Sequence, residues 1–168
     1  EPNAFALSTS FKNKPSSRMM LLKKFSTNFT FYTNISSRKG REIIVNESAS
    51  MLFWWKEMQR QIRIEGTLSQ LSLATVKKYF YSRPIDSQLG ALSSNQSSKI
   101  SSYEVLVNEF HANKLRFKNK KVPFPINWTG YQLKPITIEF WQGGKDRLHQ
   151  RIEYKRNKNK WESRILSP

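Results

Sequence analysis

The chain has 168 residues, of which 38% are hydrophobic and 13% aromatic, enough to bury a real core and to exclude a wholly disordered polymer. Its 29 Lys and Arg against 12 Asp and Glu leave a net charge of +17, which suits nucleic acid, an anionic membrane or small anionic ligands. With no cysteine and only His111 and His149, it excludes a disulfide framework and thiolate chemistry and argues against a metal site.

In chain order, alternation predicts strands at 4–9 ("AFALST"), 17–25 ("SRMMLLKKF") and 29–34 ("FTFYTN"). A serine cap signal opens a short helix within 36–46 ("SSRKGREIIVN"). Strands follow at 48–55 and 60–71, then a helix over 72–83 that stops before Pro84. A second short helix covers Ser87 to Leu92. Ser101 and Glu104 have capping-box spacing for a helix through Phe117. "VPFPINW" (122–128) is a proline-punctuated loop, and strands return at 137–142, 147–156 and 161–166. These strands, broken by a few helices, predict one mostly β domain over 1–168, an antiparallel barrel with helical excursions. The longest apolar run, "MLFWW" (51–55), is far too short to span a membrane, and no signal-peptide pattern is present. The chain begins at "EPNAF" without Met, so residues upstream are expected to have been removed or left out.

Much of the excess charge lies in "KNKK" (118–121) and "KRNKNK" (155–160), which read as solvated turns. Four other clusters combine cations and hydroxyls, as phosphate recognition requires. Arg18 and Lys23 flank one strand, on opposite faces if it is regular, so that a bulge or two different ligands would be needed. Tyr32, Thr33, Ser36, Ser37, Arg38 and Lys39 lie where a strand feeds a helix, whose first amides favour an anion. Tyr79, Arg83 and Ser87 recur every four residues, on one helical face if the helix tolerates Pro84. Arg147, His149 and Arg151 alternate within "FWQGGKDRLHQRIEY", so an extended strand would line all three along one face. No glycine-rich phosphate loop and no Gly-x-Ser-x-Gly elbow exists, so a cofactor is expected to carry any chemistry.

Together these motifs resemble the pyridoxamine 5′-phosphate oxidase family. "SRMMLLK", "FYTNISSRKGRE", "RQIRIEG", "YFYSRPIDSQLGA", "NQSS", "VPFP–NW–GY", "IEFWQGG" and "RLHQR" keep its order along the whole chain. The resemblance implies a split-barrel, FMN-binding homodimer with cofactor clefts at the subunit interface. It implies oxidation of pyridoxine or pyridoxamine 5′-phosphate to pyridoxal 5′-phosphate, with O2 reoxidising the flavin to give H2O2, in a cytoplasmic setting without nucleic-acid or membrane partners. By position, Arg18, Lys23, Tyr32, Thr33, Arg38, Lys39, Gln61, Gln96, Ser97, Trp141 and Arg151 match FMN contacts. Lys23, Tyr79, Arg83 and Ser87 match the pocket for the substrate phosphate, and Arg147 and His149 the catalytic pair that positions the substrate ring.

The chain also departs from the pattern. Gln150 stands where the family usually has Asp, Leu92 replaces a common Trp, and the turns at 10–14 and 26–28 are each about one residue short. The resemblance also implies an N-terminal segment that helps cover bound substrate, which is expected to lie outside residues 1–168. Two rival readings are a split-barrel FMN protein with another substrate or none, and a basic barrel stacking nucleic-acid bases on its aromatics.

Overall fold

A computed structural model describes residues 1–168. Two compact units emerge, one of Glu1–Phe31, Glu42–Ser69 and Tyr131–Pro168, the other of Tyr32–Arg41 and Gln70–Gly130. There are nine strands: β1 (Ala4–Phe11), β2 (Lys14–Leu21), β3 (Lys24–Phe25), β4 (Phe29–Asn34), β5 (Ser48–Trp55), β6 (Arg60–Gln70), β7 (Trp128–Gln142), β8 (Gln150–Asn157) and β9 (Lys160–Leu166). The four α-helices are α1 (Arg38–Val45), α2 (Leu73–Ser82), α3 (Ile85–Ser93) and α4 (Tyr103–Arg116). One sheet runs β2-β1-β5-β6-β7-β4-β3, with β8 on β7 and β9 on β8. No helix is long and apolar enough to cross a membrane.

In the first unit, period-two alternation builds the core. Phe5 and Leu7 of β1, Met51 and Phe53 of β5, and Ile64 and Leu68 of β6 are buried with Phe29, Phe31, Ile43, Tyr131 and Leu133. Register aligns them: Leu7 stands opposite Met51, which stands opposite Ile64. Phe5, fully buried, lies 5.3 Å from the Phe53 ring and edge-on to Phe31 at 6.0 Å. Each such side chain contributes about 1.5–3 kcal/mol through burial.

The helices α2, α3 and α4 belong to the second unit, where Phe80, Leu89 and Val122 form a smaller core with Phe110, Phe117, Phe124 and Trp128 packed on it. Val76 and Phe80, four apart, give α2 its buried face. Ser72 caps α2, its Oγ accepting the Thr75 N–H. Before Pro84, Arg83 takes an extended backbone (φ −80°, ψ 154°), and α2 ends there.

Several sequence expectations change. The segment 17–25 is not one strand. β2 stays on β1 to Leu21; Leu22 N–H then donates to Asn3 O at 2.8 Å and Lys23 N–H to Thr30 O at 2.9 Å, so the chain changes partner between them. The eight strand segments read from the sequence become nine strands because of this break. The strand expected at 137–142 is the end of a fifteen-residue β7. Ser102, not Ser101, precedes α4, and its side chain makes no capping hydrogen bond, so the capping-box spacing was misplaced by one residue.

Gly66 of β6 lies hard against β7, since a Cβ there would come 2.1 Å from Lys134 O. Gly66→Ala is therefore expected to destabilise the chain by about 1–3 kcal/mol through forced backbone displacement. Urea unfolding checks this, and an unchanged midpoint would show that the strands separate freely.

Candidate active site

In the second unit, the turn from β4 into α1 is shaped by short hydrogen bonds. Asn34 Oδ1 accepts the Ser36 N–H at 2.8 Å, Ser37 Oγ donates to Asn34 O at 2.7 Å, and Ser37 Oγ accepts the Gly40 N–H at 3.2 Å as a helix cap. Gly40 has no room for a side chain, because a Cβ would stand 2.2 Å from Ile35 O. That turn brings Lys39, only 7% exposed, to Thr33 and Gln96. Its Nζ lies 2.8 Å from Gln96 Oε1, 3.1 Å from Thr33 Oγ1 and 3.3 Å from Ser37 Oγ. Thr33 Oγ1 in turn donates to Gln96 Oε1 at 3.1 Å. Next to Gln96, Ser97 takes a left-handed backbone (φ 70°). Thr33, Lys39 and Gln96, sixty-three residues apart at the extremes, thus form one cluster, with Arg38 beside Lys39 in the first turn of α1.

A second cluster in the same unit is aromatic and cationic. The rings of Tyr32 and Tyr79 stack at 3.9 Å and 12°, and Trp128 lies parallel to Tyr32 at 5.2 Å. Gly130 makes room for this stack, since a Cβ would come within 2.7 Å of the Tyr32 ring. The Arg83 guanidinium sits 5.0 Å from the Trp128 centroid, a cation–π geometry. Its Nη1 is buried with no hydrogen-bond partner. Burial lowers the Arg83 pKa and Tyr79 opposes that change; burial raises the pKa of Tyr79, opposed by Arg83, and that of Tyr32. Both tyrosines are therefore neutral O–H donors at physiological pH. The break at Arg83 means that Tyr79, Arg83 and Ser87 do not share one helical face: Tyr79 is on α2, Arg83 between helices and Ser87 on α3. Proline's steric restriction on Arg83 overrides the four-residue spacing.

In the first unit the expected row of Arg147, His149 and Arg151 also fails. β8 begins at Gln150, so only Arg151 is in a strand, and Lys145–Arg147 form a 3-10 turn. Asp146 and Arg147 take left-handed backbones (φ 54° and 63°), which ends any alternation. His149 packs 4.6 Å from the Trp141 ring, and its Nδ1 accepts the Gly144 N–H at 3.2 Å. Arg151 stands opposite Trp141 across β7–β8 and binds buried Glu139, with Nε to Oε1 at 2.9 Å and Nη2 to Oε2 at 3.1 Å. Arg63 reaches the same carboxylate, Nη2 to Oε2 at 2.6 Å.

Gln61 and Trp141 line a cavity of about 580 Å³ with Trp55, Ile62, Phe140 and Gln150. Arg18 is held by protein: its Nη1 donates to Thr9 Oγ1 at 2.6 Å, and its Nη2 to Ser16 Oγ at 2.6 Å and Glu42 Oε2 at 3.2 Å. Lys23 lies at the break after β2 and not on a regular strand, so the question of its face relative to Arg18 dissolves.

Four residues that sequence reasoning missed matter here. Trp128 and Gly130 shape the aromatic stack; the "NW–GY" motif was noted, but nothing local linked it to Tyr32. Glu139 and Glu42 neutralise two of the arginines, and both sit in strand or helix patterns that read as ordinary alternation.

The sheet with its four helices has the fold of the FMN-binding split barrels. Residues 1–117 match the family model described as pyridoxamine 5′-phosphate oxidase, and residues 128–168 match the pyridoxine 5′-phosphate oxidase C-terminal dimerisation region. The chain belongs to the pyridoxine/pyridoxamine 5′-phosphate oxidase family, whose cofactor is FMN. It is 46% identical over 170 residues to the pyridoxine/pyridoxamine 5′-phosphate oxidase of Cyanothece sp. (strain PCC 7425), covering all of this chain and 80% of that one. Against the enzyme of that name from Nostoc sp. (strain PCC 7120) it is 45% identical over 171 residues, with the same coverage. Among solved structures it is similar to PhzG from Burkholderia lata 383 in complex with tetrahydrophenazine-1-carboxylic acid, at 32% identity and a TM-score of 0.92, covering 99% of this chain and 83% of that one. The fold is also that of a pyridoxamine 5′-phosphate oxidase-related FMN-binding protein from Nostoc punctiforme PCC 73102, at 16% identity and TM-score 0.80, covering 99% and 88%.

The hydrogen bond from Arg151 holds the Glu139 carboxyl below the usual carboxylate range, with the Arg63 and Arg151 charges adding to the effect and burial opposing it. A depressed native pKa contributes stability that is fully present above the ordinary Glu value and is lost as pH falls through the native one. Glu139→Gln is therefore expected to lower the urea midpoint at pH 7 and to differ progressively less from the parent as the pH drops below about 4.3. A gap that stays constant down to acid pH would rule out this linkage.

Proposed function

We propose that the whole chain, residues 1–168, works as an FMN-dependent oxidase that converts pyridoxine 5′-phosphate or pyridoxamine 5′-phosphate to pyridoxal 5′-phosphate. The observation that carries the substrate class is Arg83. A guanidinium with a buried, unpartnered Nη1, seated on Trp128 beside the Tyr79 hydroxyl, is suited to a phosphate oxygen, which would satisfy the orphaned donor. Ser87 and Lys23 complete the proposed set of phosphate ligands.

The donor chemistry fits FMN. Lys39, Arg38, Thr33 and the first amides of α1 suit its phosphate, while Tyr32, Gln61, Gln96, Ser97 and Trp141 take the polar and ring contacts. Arg18, Lys23 and Arg151 are assigned to the same cofactor; Glu42 and Glu139 hold the two arginines in fixed orientations. FMN, when bound, would supply the two-electron acceptor for a hydride leaving the substrate C4′ carbon, with O2 as the final oxidant, giving H2O2. The protein's part is to bind and orient, with Arg147 and His149 holding the substrate ring. For pyridoxamine phosphate, water hydrolyses the imine product.

The working form proposed is a homodimer. Supporting it are the match to a dimerisation region over 128–168 and the large apolar side chains exposed within that stretch: Phe140, Ile152, Tyr154, Trp161 and Ile165. A second reading, a flavin oxidase acting on a different ring, draws on the likeness to PhzG and on Gln150 at the cavity wall.

Anaerobic mixing of the FMN-loaded protein with pyridoxine 5′-phosphate separates these readings. Bleaching of the flavin absorption, reversed on admitting air, is expected; flavin that stays oxidised with both vitamers would favour the second reading. Arg83→Ala is expected to raise the KM for the phosphorylated vitamer roughly 10- to 100-fold, the value of a charge-assisted hydrogen bond. The Kd for FMN should move far less, and equal losses in both would sink the assignment of Arg83.

A further inference from the structure

The loop joining β7 to β8 constrains His149 in a way that goes beyond positioning a ring, although its chemical meaning rests on the proposed oxidase function. The loop is tied down at its start. Gly143 N–H donates to Gln59 O at 2.8 Å, and Gln142 uses its side-chain amide to accept from Arg60 Nε at 2.7 Å and to donate to Met58 O at 3.1 Å. It is also folded on itself, with Leu148 N–H donating to Lys145 O and His149 N–H to Arg147 O, both at 2.9 Å. Asp146 and Arg147 are held left-handed, a conformation uncommon for non-glycine residues and costly for a long side chain such as Arg147.

This arrangement aims the Gly144 N–H at His149 Nδ1, 3.2 Å away, while the Trp141 ring lies 4.6 Å from the imidazole at 41°. A backbone amide can only donate. Nδ1 must therefore present its lone pair, and the single proton of the neutral imidazole resides on Nε2. We infer that the Gly144 amide locks His149 as the Nε2–H tautomer, so that His149 meets the bound substrate as a hydrogen-bond donor to an oxygen acceptor and not as the base that removes a proton. Gly144 is then a positioning residue for the oxidation. A Cβ at Gly144 would lie 2.2 Å from Leu148 O, so any side chain there displaces the carbonyl that leads directly into His149. When an alcohol substrate gives up its C4′ hydride, the hydroxyl proton leaves to water.

Two independent measurements test this. The first is nitrogen-15 NMR of the FMN-loaded protein labelled at its two histidines, at neutral pH and without substrate, with His149→Gln used to assign the His149 signals. A pyridine-type resonance at Nδ1 and a pyrrole-type resonance at Nε2 are expected; the reverse pattern, or an even mixture, overturns the inference. The second is turnover. A glutamine amide can offer an N–H where Nε2–H was, whereas an asparagine amide reaches only to Nδ1. His149→Gln is therefore expected to turn over roughly tenfold faster than His149→Ala, with His149→Asn as slow as the alanine variant. If His149 were a general base, glutamine and alanine would be equally slow, by about 100-fold or more against the parent, and that result overturns the donor role. Gly144→Ala is expected to keep FMN and lose the single-tautomer signature together with kcat; an unchanged spectrum and rate would remove Gly144 from any positioning role. If the parent's flavin never bleaches with a phosphorylated vitamer, the oxidase reading fails, and the NMR result alone then decides the tautomer.

Discussion

One buried carboxylate, Glu139, sets the terms for the functional end of the sheet. It is 2% exposed near the C-terminal end of β7 and binds Arg63 from β6 on one side and Arg151 from β8 on the other. In a chain of net charge +17, two arginines on the strands either side of β7 would repel each other and push those strands apart. A single acceptor between them turns that repulsion into a cross-strand tie, and the two-point contact from Arg151 fixes guanidinium orientation as well as distance. β9, which pairs only with β8, inherits that placement. Glu42 plays the same part for Arg18, accepting also from Thr9 and Ser16. Cations assigned to the cofactor are thus held before any anion arrives, which reduces what binding must order.

A second regularity is that candidate site residues gather where regular structure stops. Lys23 lies where the chain leaves β1 for β4, Arg83 where Pro84 ends α2, Ser97 in the loop before α4, and His149 at the close of a left-handed turn. Regular strands and helices satisfy their own backbone groups and fix side chains at periods of two or 3.6. A site that needs donors converging from several directions must break those periods. The breaks remain rigid because something enforces each one: a change of strand partner, a proline, or a net of short backbone hydrogen bonds.

This explains which parts were legible from the residues. β4 and β5 were read to their ends because alternation of large apolar side chains is a local signal, and Ser72 and Pro84 bracketed α2 for the same reason. The row of Arg147, His149 and Arg151 was misread because period two was carried into a segment whose backbone is left-handed at Asp146 and Arg147, a state that Asp signals only weakly and Arg not at all. Tyr79, Arg83 and Ser87 were placed on one helical face only on condition that the helix tolerates Pro84, and α2 does not continue through it. Family likeness picked out the cluster of Thr33, Lys39 and Gln96 without geometry. No local pattern pointed to Glu42, Glu139 or Gly144, whose roles depend on partners brought close only by the fold.

Gln150, the departure from the family's aspartate, can be weighed against these constraints. It opens β8 and lines the cavity that also holds Gln61 and Trp141. The residues on either side of it are held by other means: His149 by the Gly144 amide, and Arg151 by Glu139 and the Ser167 carbonyl. Neither support passes through position 150. Replacing a carboxylate by an amide there removes a negative charge from the cavity wall and leaves the orientation of its two neighbours intact. The consequence of the exchange therefore falls on what enters the cavity, its charge and its hydrogen-bonding pattern, and not on how His149 and Arg151 are held.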